Sequence, residues 1–183
     1  YLRQTKGEKR KTQWSAVLAQ APNSTLVSLN TTLANRLVAQ ALAEKALPEL
    51  AGWNLVKAEY SHGPSRWDFF LAKDNGERLF LEVKSVTLVV DGVGYFPDAV
   101  TTRGARHVRE LAMLAQEENT QAAVLFLAQR QDVHVIKPAR AIDPQFAAEL
   151  EQAARAGVML LGRKTIVTTA EVMLGGRVAV ELG

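Results

Sequence analysis

The feature that most constrains the fold is a pair of strand-like segments, residues 66–73 and 79–90, separated by the triplet Asp74-Asn75-Gly76. A short connection in which Gly follows Asn is a strong β-hairpin signal, because both residues tolerate a positive φ. Each segment has the length and the apolar content of a strand. An antiparallel hairpin is therefore the first element that we predict.

The length of the hairpin loop decides which side chains face each other. A two-residue Asn-Gly loop would put Asp68 opposite Val83. A three-residue loop, with Gly76 in the left-handed conformation, puts Asp68 opposite Glu82, and directly opposed side chains lie about 5 Å apart at Cβ. We predict the three-residue loop, because it brings together two carboxylates that a cation could bridge.

Helical and strand-like segments follow one another through the rest of the chain. Helices are predicted over residues 32–46, 102–117 and 144–157, from the spacing of the apolar residues and from their end signals. The other strand-like segments are 55–60, 122–128, 133–136, 158–161 and 177–182. Short strands are predicted within residues 1–29, as the tail of a small β unit. This order predicts an α/β fold with a mixed sheet.

The net charge of +3 is concentrated at the start of the chain. Residues 1–14 hold an excess of basic side chains, whereas the remaining residues are close to neutral. Such a patch attracts phosphate backbones, and we assign Lys9, Arg10 and Lys11 to nucleic-acid binding. A solvated basic strand without any ligand would explain the same charges.

The composition excludes several other classes of protein. The chain has no cysteine, which rules out disulfide scaffolds, thiolate zinc sites and cysteine nucleophiles. No run approaches the roughly 18 apolar residues of a membrane span, and no signal-peptide pattern opens the chain. We therefore expect a soluble, cytoplasmic protein with no membrane partner. The sequence leaves the oligomeric state open, a homodimer included.

Two charged residues interrupt the apolar second strand of the hairpin. Side chains alternate along a strand, so Glu82 and Lys84 share one face with Phe80. Charged groups are unfavourable there unless they pair or serve a site. With Asp68 opposite Glu82, the oxygen ligands suit Mg²⁺ or Mn²⁺. The alternative is an ion pair between Glu82 and Lys84, with Asp68 an ordinary strand-end carboxylate.

The spacing of Asp68, Glu82 and Lys84 resembles the PD-(D/E)xK motif of restriction-endonuclease-like nucleases. The order of helix, β-meander, helix and strand around these residues matches that superfamily. A longer resemblance, to the sugar fermentation stimulation protein A family, is most specific in LEVKSVTL and GYFPDAV. The stretches that carry it are residues 30–35, 65–68, 81–88, 94–100, 102–111, 138–143 and 153–158.

This resemblance implies a restriction-endonuclease-like mixed β-sheet flanked by helices over residues 30–183. A remnant of an OB-like β subdomain and a linker would precede it, over residues 1–29. Members of the family are DNA-binding and linked to the expression of sugar-utilisation genes, maltose among the sugars. A Mg²⁺-dependent nuclease and a non-catalytic DNA-binding transcriptional regulator on a nuclease scaffold are the two functions that follow. RNA is not excluded as a partner.

If the site is catalytic, the residue types define the roles. Asp68 and Glu82, with the carbonyl of Val83, would hold the divalent cation, which lowers the pKa of a bound water. Lys84 would position that water or neutralise the developing charge. Glu44, on the preceding helix, is a candidate for a further acidic ligand, although a solvated helical glutamate is the simpler interpretation.

The helix predicted from residue 102 carries its basic residues at the end where the helix dipole favours acids. A bound phosphate would supply the missing negative charge. We therefore assign Arg103, Arg106 and His107, together with Arg66 on the hairpin, to nucleic-acid binding. The alternative is an intramolecular network in which Arg106 pairs with Glu110 and His107 packs on the sheet.

Overall fold

The computed structural model describes residues 1–4 and 12–183. Lys9, Arg10 and Lys11, which the sequence assigns to nucleic-acid binding, lie outside the described residues. The helices are α1 (Thr32–Ala43), α2 (Thr102–Leu114) and α3 (Pro144–Arg155), and a 3₁₀ turn covers Pro48–Leu50. In chain order the strands are β1 (Leu2–Gln4), β2 (Trp14–Ala16), β3 (Leu18–Gln20), β4 (Leu26–Ser28), β5 (Asn54–His62), β6 (Ser65–Ala72), β7 (Arg78–Val86), β8 (Leu88–Val90), β9 (Val93–Phe96), β10 (Thr120–Ala128), β11 (Val135–Pro138), β12 (Met159–Val167), β13 (Val172–Arg177) and β14 (Ala179–Val180).

The main sheet has six strands in the order β13-β12-β10-β7-β6-β5. The central pairs β7–β10 and β10–β12 are parallel, whereas the outer pairs are antiparallel. Parallel strands need both faces covered, and the central strand β10 is accordingly apolar on both sides. The predicted α/β fold with a mixed sheet is confirmed.

Helices cover both faces of this sheet. The buried face of α1 packs with Phe69, Leu71 and Leu81 in one apolar cluster. Helices α2 and α3 pack on the opposite face, in a second cluster that contains Phe80 and Phe126. The sheet is therefore the middle of three layers, and a side chain on β7 faces either α1 or α2 according to its place in the alternation.

The start of α2 is tied to the start of α3 through one side chain. Asp143 caps α3 by accepting a hydrogen bond from the amide of Phe146 at 2.9 Å. Its second oxygen accepts from the amide of Thr101 at 2.8 Å, and Thr101 in turn caps α2 by accepting from Gly104. Asp143 is buried, so this arrangement holds the N-terminal turn of α2 in a defined position.

A second sheet, with the order β14-β11-β9-β8, departs from the sequence prediction. The single strand predicted over residues 79–90 breaks at Thr87 into β7 and β8. Strand β8 then turns back into β9 across Asp91 and Gly92, which both have a positive φ. A two-residue Asp-Gly loop is a strong hairpin signal, so the sequence contained the information that places a turn between β8 and β9.

In the part of the chain that the structure describes, the N-terminal strands pair only with each other, β1 with β2 and β3 with β4. These small antiparallel ladders fit the predicted remnant of an OB-like β subdomain. The amide of Ser28 on β4 donates to the carbonyl of Gln129 at 2.9 Å and so joins this segment to the end of β10. Within the described residues, no helix is long and apolar enough to cross a membrane.

Candidate metal centre

The loop that joins β6 to β7 has the predicted three residues. The amide of Lys73 donates to the carbonyl of Glu77 at 2.9 Å, and the amide of Gly76 donates back to Lys73 at 3.0 Å. Gly76 has a φ of 88°, in the left-handed region. Phe70 lies opposite Phe80 in the resulting ladder. Continued in this register, the ladder places position 68 opposite position 82, as the sequence predicts.

Asp68 departs from the regular strand, which the sequence did not predict. The β6–β7 ladder ends at the pair Phe69 and Leu81. Trp67 and Phe70 both pack against Phe80, although regular alternation would put residues three apart on opposite faces. Glu59, across from Asp68 on β5, has a φ of 53°, and this rung is missing from the β5–β6 ladder as well. The regular alternation of side chains between the two faces of the sheet is therefore interrupted in β6 at Asp68.

This irregularity directs the Asp68 carboxylate toward α1 and the β7 backbone. Its Oδ1 accepts a hydrogen bond from Nδ2 of Asn35 at 2.6 Å. Its Oδ2 accepts from the backbone amide of Val83 at 2.7 Å. Asn35 lies on α1, on the far side of the sheet from α2. The sequence analysis did not assign Asn35 to the site, and the sequence signal for it is its place in residues 30–35, one of the stretches that carry the family resemblance.

Glu82 approaches the same region from the opposite face of the sheet. Its Oε1 accepts from Nζ of Lys84 at 2.6 Å and lies 2.9 Å from Nδ1 of His107 on α2. Its Oε2 is buried and has no hydrogen-bond partner among the described residues. Glu82 is only 5% exposed. A buried carboxylate oxygen without a donor is unusual and calls for a ligand or a water.

The pKa values of the two carboxylates are shifted in opposite directions from their ordinary values. Burial, and then the negative charge of Glu82, raises the pKa of Asp68 to about 6. Burial would also raise the pKa of Glu82, but the hydrogen bond from His107 and the charge of Lys84 outweigh it and hold that pKa below its ordinary value. The ion pair between Glu82 and Lys84, which the alternative interpretation requires, is present, and the Asp68 carboxylate differs from a solvated one in accepting hydrogen bonds from both Asn35 and Val83.

The donor set fits a hard divalent cation that retains several waters. Among the described residues, no group of three or more His, Cys, Asp or Glu side chains is arranged to enclose a metal. Mg²⁺ does not require such a cage, since one or two carboxylates commonly hold it together with water. Asp68 and Glu82 supply two carboxylates, and Oε2 of Glu82 supplies an oxygen that the protein leaves unused. Glu44 is exposed and bonds to Gln40, so it is not part of this set.

The four described residues assigned to nucleic-acid binding differ in whether their charge is already paired within the protein. Arg66 pairs with Glu59 at 2.9 Å, and Arg106 lies 3.5 Å from Glu110, so each already has an anionic partner. His107 lies on the buried face of α2, as the intramolecular alternative requires. Arg103 is exposed, and its Nε donates to Nε2 of His107 at 3.4 Å. Arg103 is thus the best placed of the four to meet a phosphate.

Comparison with known proteins gives consistent matches over most of the chain. The family model for the "Sugar fermentation stimulation protein RE domain" matches residues 32–171. A sugar fermentation stimulation protein homolog from Shouchella clausii is 45% identical over 171 residues, covering 93% of this chain and 73% of the relative. A homolog from Thioalkalivibrio sulfidiphilus is 44% identical over 164 residues, covering 88% and 68%. A solved structure of Pyrococcus furiosus SfsA in complex with Ca²⁺ superposes with a TM-score of 0.87 at 27% identity, covering 99% of this chain and 77% of that one.

Proposed function

The chain belongs to the sugar fermentation stimulation protein family, and we propose that it binds DNA and carries a Mg²⁺-dependent phosphodiesterase site. Asp68, Glu82 and Lys84 form this site. The observation that carries the proposal is the buried Oε2 of Glu82, which has no donor among the described residues; the charge of Glu82 also acts on Asp68 and helps to raise the pKa of that carboxyl. The Ca²⁺ in the Pyrococcus furiosus relative supports it, because Ca²⁺ and Mg²⁺ both take oxygen ligands.

Asp68 and Glu82 would hold the cation, which when bound stabilises charge on a phosphate and lowers the pKa of a bound water. Asn35 and the Val83 amide fix the Asp68 carboxylate from two directions. Lys84 holds its ammonium group against Glu82 and is 13% exposed, so it can donate toward a phosphate or water that enters the site. Arg103 supplies an exposed positive charge on the α2 side.

One observation favours a second function, that of a DNA-binding transcriptional regulator without turnover. Oε1 of Glu82 already receives hydrogen bonds from both Lys84 and His107. A carboxylate paired in this way can serve the fold alone, with Lys84 unavailable for chemistry. The link between this family and sugar utilisation agrees with either function. Only cleavage of a nucleic acid distinguishes the nuclease from the regulator.

Nuclease assays with matched variants test the proposal. The wild type would be incubated with end-labelled single- and double-stranded DNA and RNA, in Mg²⁺, Mn²⁺ or EDTA. Asp68→Ala and Lys84→Ala would run alongside Lys73→Ala as the control. Lys73 lies on the same hairpin and also pairs with a glutamate, Glu77, but at the opposite end of β6.

We expect metal-dependent cleavage by the wild type and by Lys73→Ala, and its loss in Asp68→Ala and Lys84→Ala. If the wild type cuts none of the substrates and binds DNA equally well in EDTA and in metal, the phosphodiesterase proposal is wrong. The regulator is then the remaining function. Cleavage that persists in Lys84→Ala would instead remove Lys84 from the catalytic set.

A further inference from the structure

We propose that His107 is a positioning residue of the metal centre. It fixes the carboxylate of Glu82 so that Oε2 is presented to the cation beside Asp68. This inference rests on the proposed function, because it concerns the same site. It assigns to His107 neither contact with the metal nor contact with nucleic acid, which is the role that the sequence suggested.

The hydrogen bonds around His107 define which ring nitrogen carries the proton. Nε2 of the ring lies 3.4 Å from Nε of Arg103. A guanidinium can only donate, so Nε2 is the acceptor of this contact. In the neutral ring the proton then lies on Nδ1, which is 2.9 Å from Oε1 of Glu82 and donates to it. Arg103 therefore selects the tautomer in which His107 can hold Glu82.

The ring has little freedom to turn away from this contact. His107 is 2% exposed and is fixed to the buried face of α2. Its ring centroid lies 5.5 Å from that of Trp67, with 56° between the planes. Trp67 itself is 1% exposed and packs on Phe80. The donor is therefore held rigidly by α2 on one side and by the sheet on the other.

Lys84 also donates to Oε1, but its role in the proposed chemistry would compete with that contact. A lysine side chain has a flexible four-carbon stem and moves readily between partners. When Lys84 turns toward a phosphate or a water, His107 is the donor that remains on Glu82. The carboxylate then keeps its orientation through the reaction, with Oε1 held by the ring and Oε2 free. Outer histidine–carboxylate contacts of this kind orient metal ligands, and losing one typically costs about 10–100-fold in affinity.

Calorimetric titration with Mn²⁺ alone tests the inference on the full chain. The variants are His107→Leu, which removes the donor, and His107→Asn, whose amide nitrogen takes approximately the position of Nδ1. Asparagine and histidine have similar helix propensities, and leucine has a higher one, so neither change disfavours α2 intrinsically. His134→Asn, at an exposed histidine between β10 and β11, is the control. Circular dichroism and thermal unfolding would establish that each variant is folded.

We expect His107→Leu to weaken Mn²⁺ binding by about 10–100-fold, His107→Asn to restore most of it, and His134→Asn to leave it unchanged. A folded His107→Leu variant that binds Mn²⁺ like the wild type would overturn the inference. So would a folded His107→Asn variant that binds as weakly as His107→Leu, because the hydrogen bond would then not be the cause. Absence of Mn²⁺ binding in the wild type is a different result, since it removes the metal centre of the proposed function itself.

Discussion

The carboxylate of Asp68 accepts a hydrogen bond from the backbone amide of Val83 at 2.7 Å. In a regular continuation of the hairpin, that amide would donate to the carbonyl of Trp67 instead. A side chain thus replaces a main-chain acceptor at the point where β6 and β7 separate. The bond also ties the position of Asp68 to the strand that carries Glu82 and Lys84.

The charge of Asp68 should reduce the stability of the metal-free protein at neutral pH. Burial and the neighbouring Glu82 raise the pKa of Asp68 from 3.8 to about 6, so the folded state binds this proton more tightly than the unfolded state. The contribution of Asp68 to stability is therefore largest at low pH and falls as the pH rises through the window between those values. Because Asp68 is partly exposed and solvent screens its charge, we expect this loss in the free energy of unfolding to be about 1–2 kcal/mol.

Asp68→Asn removes this charge and should be about 1–2 kcal/mol more stable than the wild type at pH 7.5 in EDTA. Near pH 4 the difference should shrink, because the wild-type carboxyl is then largely protonated. Urea denaturation across this pH range measures both values. A stability difference that is independent of pH would contradict the assigned titration. Added Mn²⁺ should stabilise the wild type and not the variant.

Arg103→Ala should weaken DNA binding in a salt-dependent manner. Each lost phosphate contact lowers the slope of log K against log salt concentration by about 0.9 for duplex DNA. Arg109→Ala removes the same charge from the same helix, but Arg109 is paired with Glu149 and should change the slope much less. Fluorescence anisotropy in EDTA at several salt concentrations compares the two. Equal slopes for the two variants would show that only net charge matters and that Arg103 makes no specific contact.

Gly76→Ala should destabilise the hairpin that brings the two acidic strands together. Gly76 has a φ of 88°, and an added methyl group would meet no atom within 4 Å, so the cost is backbone strain alone. We expect a loss of about 1 kcal/mol in the free energy of unfolding. Gly176→Ala is the control, because that glycine is equally uncrowded and lies outside the left-handed region. Equal effects of the two substitutions on urea denaturation would contradict the assigned strain.

The parts of the site that follow from local chemistry could be predicted from the sequence. The Asp-Asn-Gly triplet indicated a hairpin, and the prospect of two opposed carboxylates favoured the three-residue loop. The length of that loop sets the register of β6 against β7. The shared face of Glu82 and Lys84 followed from strand alternation, and the two side chains are in contact. These predictions need only residues that are near one another in the chain.

The parts that depend on distant segments could not be predicted. The interrupted alternation at Asp68 accompanies the positive φ of Glu59 on β5, which no sequence signal near Asp68 reports. Asn35 reaches Asp68 only because α1 packs across the hairpin, and this contact joins residues 33 positions apart. The same holds for His107, whose contact with Glu82 requires α2 to cover the opposite face of the sheet.

The three-residue loop between β6 and β7 has a consequence for how such a sequence can diverge. Exposed turns usually tolerate insertions and deletions, and this turn lies far along the strands from the carboxylates. Yet gaining or losing one residue here would shift every side chain of one strand to the other face and separate Asp68 from Glu82. The turn is therefore constrained in the number of its residues as well as in the glycine at position 76, and its length sets whether the two carboxylates at the far end of the hairpin can lie opposite each other.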